Sequence, residues 1–297
     1  MQTTLAILPN FVLILAGFVL ARGFEYGRGF WEGLEKLVYY VLFPALLFRS
    51  LALAPIDPGQ AGLLVGVGLA FTLAGLALSL VAGPLFGLER TLAATCSQCG
   101  YRFNTYVGLA VAGSLFGTPG VALASLMLGA MIPLANLAAV TTIAVSSRGG
   151  LLAELARNPL LLSTLAGFGW NLAGLGLPGF ADQTLNLLAQ TSLPAGLLSV
   201  GAALRIERGQ GPPMAHAWWL GVKLGAVPLA AWALVQWTGL KGLDAGVAIL
   251  GASLPTASSA YILAVRMTGE GRAVATQITL GTLASMVTLP LWMAAVA

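Results

Sequence analysis

The sequence predicts an all-α polytopic membrane protein of ten transmembrane helices, arranged as two inverted five-helix repeats. Three observations carry that prediction: an apolar composition with little charge, basic residues confined to alternate breaks between apolar runs, and an internal repeat at an offset of 150 residues. Of 297 residues, 58% are hydrophobic and 8% charged, against about 25% charged in an average soluble domain. Lipid offers no partner to an exposed backbone donor or acceptor, so a spanning chain must be a helical bundle or a closed barrel, and unbroken apolar runs favour helices. A crossing needs about 20 apolar residues. The chain divides into ten such runs, at 5–21, 37–54, 61–86, 91–115, 119–146, 158–177, 184–204, 214–238, 243–265 and 273–295.

Direction follows from charge. The breaks after odd-numbered runs hold Arg22, Arg28, Lys36, Arg90, Arg148, Arg157, Arg205, Arg208, Arg266 and Arg272, whereas the opposite breaks hold Lys241. Under the positive-inside rule the first set lies in the cytoplasm and both termini lie outside it, in a multi-pass protein of the cell (inner) membrane. A missed or invented helix would scramble every later break, so the regular split also supports the count of ten. The surplus of basic residues reports topology and excludes nucleic acid as a partner.

Leu15-Ala16-Gly17-Phe18 recurs as Leu165-Ala166-Gly167-Phe168, with Pro9 and Pro159 six residues ahead, and Pro44-Ala45 recurs as Pro194-Ala195 in the same register. The first run is expected to be a retained helix, since no basic residue precedes it and a cleaved leader has no reason to resemble a helix in mid-chain. Five runs per repeat is an odd number, so the second repeat enters the membrane inverted. The expected organisation is a first repeat over 1–146, a cytoplasmic linker over 147–157 and a second repeat over 158–297. Inverted repeats are an architecture of secondary transporters, whose sites lie near the midplane where interrupted helices of the two halves meet.

Two runs read as interrupted. The fourth is polar from Thr95 to Thr105, through Gln98, Gly100, Arg102 and Asn104, and the ninth carries Ser253-Leu254-Pro255-Thr256-Ala257-Ser258-Ser259-Ala260-Tyr261. On a continuous helix Thr95, Gln98, Arg102 and Tyr106 would share one face and line a cavity. Pro255 removes a backbone donor and frees carbonyls of the turn before it. Small hydroxylated residues also serve close helix packing, so the serines and threonines read either way. Arg102 stands apart: it lies about 18 Å into a hydrocarbon layer of about 30 Å, too deep to snorkel. Lys223 falls near mid-depth in the eighth run, where a bond to neighbouring carbonyls and a role toward substrate are both open. Arg49 lies near an outer end and is expected to reach headgroups.

The acidic residues complete the electrostatics. Glu25, Glu32, Glu35, Asp57, Glu89, Glu154, Asp182, Glu207, Asp244 and Glu270 all fall in breaks or at run ends. A cavity with embedded Arg and Lys and no deep carboxylate should attract an anion, and export of a negative charge from an inside-negative cell needs no coupling ion. No cofactor or metal is expected: Cys96 and Cys99 lack the further ligands a zinc site needs, and His216 reads as a histidine at a cytoplasmic helix end. Gly117–Gly120 reads as a turn, since no Gly-Lys-Ser/Thr follows it. Nothing in the pattern suggests an enzyme.

Taken in order, Leu42-Phe43-Pro44-Ala45-Leu46-Leu47-Phe48, Asn104-Thr105 with Gly108, Asn158-Pro159-Leu160, Ser192-Leu193-Pro194-Ala195 with Gly201-Ala202-Ala203-Leu204, and Leu254-Pro255 with Leu263-Ala264 resemble the auxin efflux carrier family. That family includes plant auxin exporters and bacterial malate or malonate permeases, within the bile-acid/sodium symporter-like superfamily. The resemblance implies that the fourth and ninth helices break and cross to form the site. It further implies a scaffold of helices 1, 2, 6 and 7, a transport part of helices 3–5 and 8–10, and often a homodimer. The chain departs from the family where Tyr106 follows Asn-Thr and Ala110 stands two residues past Gly108, which implies a first break that is either milder or displaced toward Gly100 or Gly108. The expected function is export of a small organic anion by alternating access. Arg102 would neutralise its carboxylate, Asn104, Thr105, Thr256, Ser258 and Ser259 would hydrogen-bond it, Pro255 would shape the break, and Tyr106 and Tyr261 would wall the pocket. Gln98, Lys223 and Asn136 are additional candidates. A sodium-coupled symporter of bile-acid type, and a non-transporting membrane receptor, are the alternatives.

Overall fold

A computed structural model describes residues 2–24, 26–54, 58–143, 159–205, 211–268 and 271–295, and all regular structure among them is helical. The expected linker at 147–157 lies outside the described residues. In chain order the helices are α1 (Gln2–Gly23), α2 (Arg28–Leu37), α3 (Phe43–Ala52), α4 (Pro58–Leu80), α5 (Ala82–Phe86), α6 (Arg90–Ser97) and α7 (Thr105–Ile143). There follow α8 (Pro159–Leu172), α9 (Gly179–Ala203), α10 (Pro213–Gly221), α11 (Val227–Thr238), α12 (Gly242–Ser253), α13 (Ser259–Met267) and α14 (Gly271–Ala294). Among the described residues, five stretches are long and apolar enough to cross a membrane: Leu5–Gly23, Gly59–Phe86, Arg90–Ile143, Pro213–Thr238 and Gly271–Ala294. Gly242–Ser253 is a shorter apolar helix.

Local breaks follow from particular residues. Wide π-helical turns at Val38–Leu42 and Val222–Ala226 join α2 to α3 and α10 to α11, and in each case a proline, Pro44 or Pro228, follows within two residues. Proline has no N–H for the carbonyl four residues before it. At the second turn that carbonyl belongs to Leu224, and Trp292 Nε1 supplies the missing donor at 2.9 Å. Within α7, Gly117 has φ 62° and ψ −157°, a conformation that glycine adopts without strain. The turn expected at Gly117–Gly120 is therefore present.

The chain divides into two compact units. The first comprises Met1–Ala61, Tyr106–Gly129 and Gly150–Ala203, and its described interior is built by α1 against α9 and α3 against α8. Glycines permit the contacts. A Cβ on Gly17 would run into the Leu198 backbone, and a Cβ on Gly167 would come within 2.6 Å of the Phe48 carbonyl oxygen. Gly17 and Gly167 are repeat mates, and so are Phe48 and Leu198, each pair separated by the same 150 residues. Arg49 does not extend to headgroups as the sequence suggested: its Nε donates to Asp182 Oδ1 at 2.7 Å and its second guanidinium arm to Oδ2 at 3.3 Å, tying α3 to α9. Asn171 on α8 donates to the Ala52 and Ala54 carbonyls at 3.2 and 2.7 Å.

The second unit comprises Gly62–Thr105, Ala130–Gly149 and Leu204–Ala297. Here α12 packs on α11 and α14, and its residues from Ala245 to Ser253 are all buried. Trp218 and Trp219 on α10 donate to the Leu78 and Ser79 carbonyls on α4 at 2.9 and 3.1 Å. His216, expected at a helix end, lies in the first turn of α10 and is buried, with Gln277 Nε2 2.8 Å from its Nδ1 and donating to its carbonyl at 3.0 Å.

Candidate functional site

Both interrupted helices of the sequence reading have a non-helical segment in the second unit. The helix α6 starts at Arg90 with Glu89 accepting the Thr91 N–H, and runs to Ser97. A single 3₁₀ turn, Gln98–Gly100, follows, and residues 102–104 are non-helical before α7 begins at Thr105. The break thus sits around Gly100. A Cβ there would collide with the Ser79 side chain, so glycine lets the turn approach α4. The other segment, residues 254–257, separates α12 from α13, with Pro255 in its middle as expected.

The two segments hold each other. Asn104 N–H donates to the Pro255 carbonyl at 2.8 Å, and Thr256 Oγ1 donates to the Cys99 carbonyl at 2.7 Å. Backbone that leaves a helix inside a membrane must find such substitutes, because an unpaired group there costs several kcal/mol, about 2–7.

Arg102 stands in the first segment, 9% exposed. It donates to Gln98 Oε1 at 3.2 Å, Asn136 Oδ1 at 3.1 Å and Ser259 Oγ at 3.1 Å. Gln98 is itself oriented by donating to the Thr95 carbonyl at 3.0 Å. These partners are neutral. Hydrogen bonds to a charged group contribute about 1.5–3 kcal/mol each, comparable to the cost of about 2.5–3.5 kcal/mol for placing an arginine at mid-membrane. Three of them can hold the guanidinium in place. Beside Ser259, the buried Ser258 Oγ has no hydrogen-bond partner.

The remaining candidates divide between those gathered here and those placed elsewhere. Gln98, Arg102, Asn136 and Ser259 form one hydrogen-bonded cluster. Asn104 and Thr256 are buried at the paired segments, with the Thr256 hydroxyl occupied by Cys99, and Thr105 opens α7. Tyr106 is not on one continuous helix with Gln98 and Arg102, because the non-helical residues 102–104 intervene; it belongs to the first unit, stacked on Phe43 with ring centroids 4.6 Å apart. The Tyr261 hydroxyl accepts from Arg205 at 3.0 Å, and the guanidinium lies 4.7 Å from its ring centre. Lys223 is buried and donates to the Ala252 carbonyl at 3.2 Å. Sequence reasoning missed the Arg205–Tyr261 and Gln277–His216 pairs. A glutamine inside the last apolar run was a visible signal for the second; nothing in the sequence marks the first.

An all-helical, multi-pass chain with a buried cation between paired helix breaks has the form of a membrane transporter. Comparison with known proteins agrees. Residues 142–293 match the family described as Membrane transport protein. The chain is 27% identical over 303 residues to an "Uncharacterized transporter" of Methanothermobacter thermautotrophicus, covering 98% of each chain. It is 26% identical over 284 residues to a "Putative malonate transporter" of Rhizobium meliloti, covering 88% of this chain and 86% of that one. The protein belongs to the membrane transport protein family, the auxin efflux carrier-like group its motifs resemble, and is a transporter rather than an enzyme.

Proposed function

We propose that this transporter moves a small organic anion, a carboxylate of malonate or malate type, across the cytoplasmic membrane by alternating access, in the direction of export. The observation that carries the reading is Arg102: a buried guanidinium at the break of a helix, donating to Gln98, Asn136 and Ser259. A carboxylate arriving at Arg102 forms a charge-assisted pair, about twice as strong as a hydrogen bond between neutral groups. Ser258 offers it a buried hydroxyl without a partner, and Asn104, Thr105 and Thr256 flank it on the two segments. The helix α13 begins at Ser259, so its positive end adds to the attraction for an anion.

The proposed frame has ten helices in two inverted repeats, with broken, crossing fourth and ninth helices and both termini outside the cytoplasm. Helices 1, 2, 6 and 7 act as scaffold, and the assembly is a homodimer. The name of the Rhizobium relative supports the anion class.

The test is thermal stabilisation of the purified protein by a panel of carboxylates, amines and neutral solutes, repeated on Arg102→Ala and Arg49→Ala. Malonate or a related acid should stabilise the native protein. Arg102→Ala should weaken its binding at least tenfold, about 1.4 kcal/mol, while Arg49→Ala, whose charge is matched by Asp182, leaves it within about twofold of native. Equal losses in the two variants, or stabilisation by amines alone, would overturn the assignment.

A further inference from the structure

The helix α12 ends inside the second unit with its last carbonyls, Leu250 to Ser253, beyond the reach of intrahelical donors. Pro255 has no N–H with which to continue the ladder. Such an end carries about half a negative charge, and where a transporter helix stops within the membrane, the carbonyls of the half-helix end are a usual seat for sodium. In this chain a cation is already seated there. Lys223 Nζ donates to the Ala252 carbonyl at 3.2 Å, and the residue is 2% exposed.

The lysine is brought there by the wide turn Val222–Ala226, which packs on α12 and α14 and is held by Trp292 of α14, whose Nε1 donates to the Leu224 carbonyl. Burial this complete argues against direct contact with a transported solute, which needs a face open to the site. A buried ammonium on the negative end of a helix instead replaces a bound ion.

We infer that Lys223 is a resident cation, its ammonium occupying the broken end of α12 where a coupling sodium would otherwise sit, so that the transporter works without sodium. The cation assignment stands apart from the identity of the cargo; only the statement about transport rests on the anion reading.

The experiment compares thermal unfolding of the full-length protein in sodium chloride and in choline chloride at equal ionic strength, without any organic anion. Native protein should unfold at the same temperature in both. Lys223→Ala, which leaves the carbonyls and an empty space, should be less stable in choline and regain about 3 °C or more in sodium. Lys223→Met, which fills the space without charge, should show no sodium response. Sodium stabilisation of the native protein, or an alanine variant indifferent to sodium, overturns the inference. Should Lys223→Ala not fold in either salt, the native protein decides: indifference to sodium upholds the inference and stabilisation by it overturns it. A sodium response confined to Lys223→Ala, with no response of any form to malonate, would sink the carboxylate reading and leave this one standing.

Discussion

Arg102, Glu35 and Lys223 show how far a single residue's environment decides its role. Glu35, on α2 outside the apolar runs, has its carboxyl pushed above the ordinary value, first by burial and then by Glu32 nearby. A carboxyl whose pKa is higher in the folded than in the unfolded protein weighs against folding when ionised, and the penalty fades as pH falls through the folded value toward the unfolded one. Glu35→Gln should therefore raise the unfolding temperature at pH 7 and lose that advantage near pH 4, measured by scanning fluorimetry across the range; a gain that does not change with pH would point to packing instead. What the sequence disclosed at this scale was depth. An arginine and a lysine far from any run end are visible in a string of apolar letters, and Arg102 and Lys223 are buried. Partners were not visible, because Asn136 lies 34 residues from Arg102, Ala252 lies 29 from Lys223 and Asp182 lies 133 from Arg49. No local spacing rule joins such pairs.

At the scale of elements, glycine and proline carried most of the legible information. Pro255 and Gly100 marked the two breaks, and the paired Leu-Ala-Gly-Phe motifs marked two close approaches to backbone, Gly17 on Leu198 and Gly167 on Phe48. Gly167→Ala should destabilise the protein by about 1–3 kcal/mol, because the added methyl meets backbone that cannot rotate away. Gly62→Ala, with open space around its Cβ, should be neutral or stabilising by up to about 1 kcal/mol. Comparable losses at both positions, read from unfolding temperatures, would show that the close approach is not what the repeat preserves. The reading of Tyr106 belongs here too. A one-face pattern through Thr95, Gln98, Arg102 and Tyr106 assumes uninterrupted 3.6-residue periodicity, and the non-helical residues 102–104 remove that premise.

For the whole molecule, the all-helical class follows from composition, and family membership was legible because ordered short motifs recur at set spacings although none is distinctive alone. Orientation rests on the distribution of basic residues. It predicts that a single cysteine at Gln2 is labelled by a membrane-impermeant maleimide in intact cells, while one at Arg90 is labelled only after the membrane is opened. Cys96 and Cys99 are buried and should leave the background low. The opposite pattern would reverse the assignment of sides, and labelling of both in intact cells would refute the count of crossings between them.

The reciprocal bonds between the helix breaks bear on how cargo can be released. Because Asn104 donates to the Pro255 carbonyl while Thr256 donates to the Cys99 carbonyl, displacing one segment alone strands polar groups on both, at about 1–3 kcal/mol for each. The pair is a latch whose two parts hold or let go together. Thr256→Val, which keeps shape but removes the hydroxyl, should loosen the whole junction, so that hydrogen exchange at the Asn104 amide rises although residue 104 is untouched. Unchanged exchange there would mean that each segment carries its own support and can yield by itself.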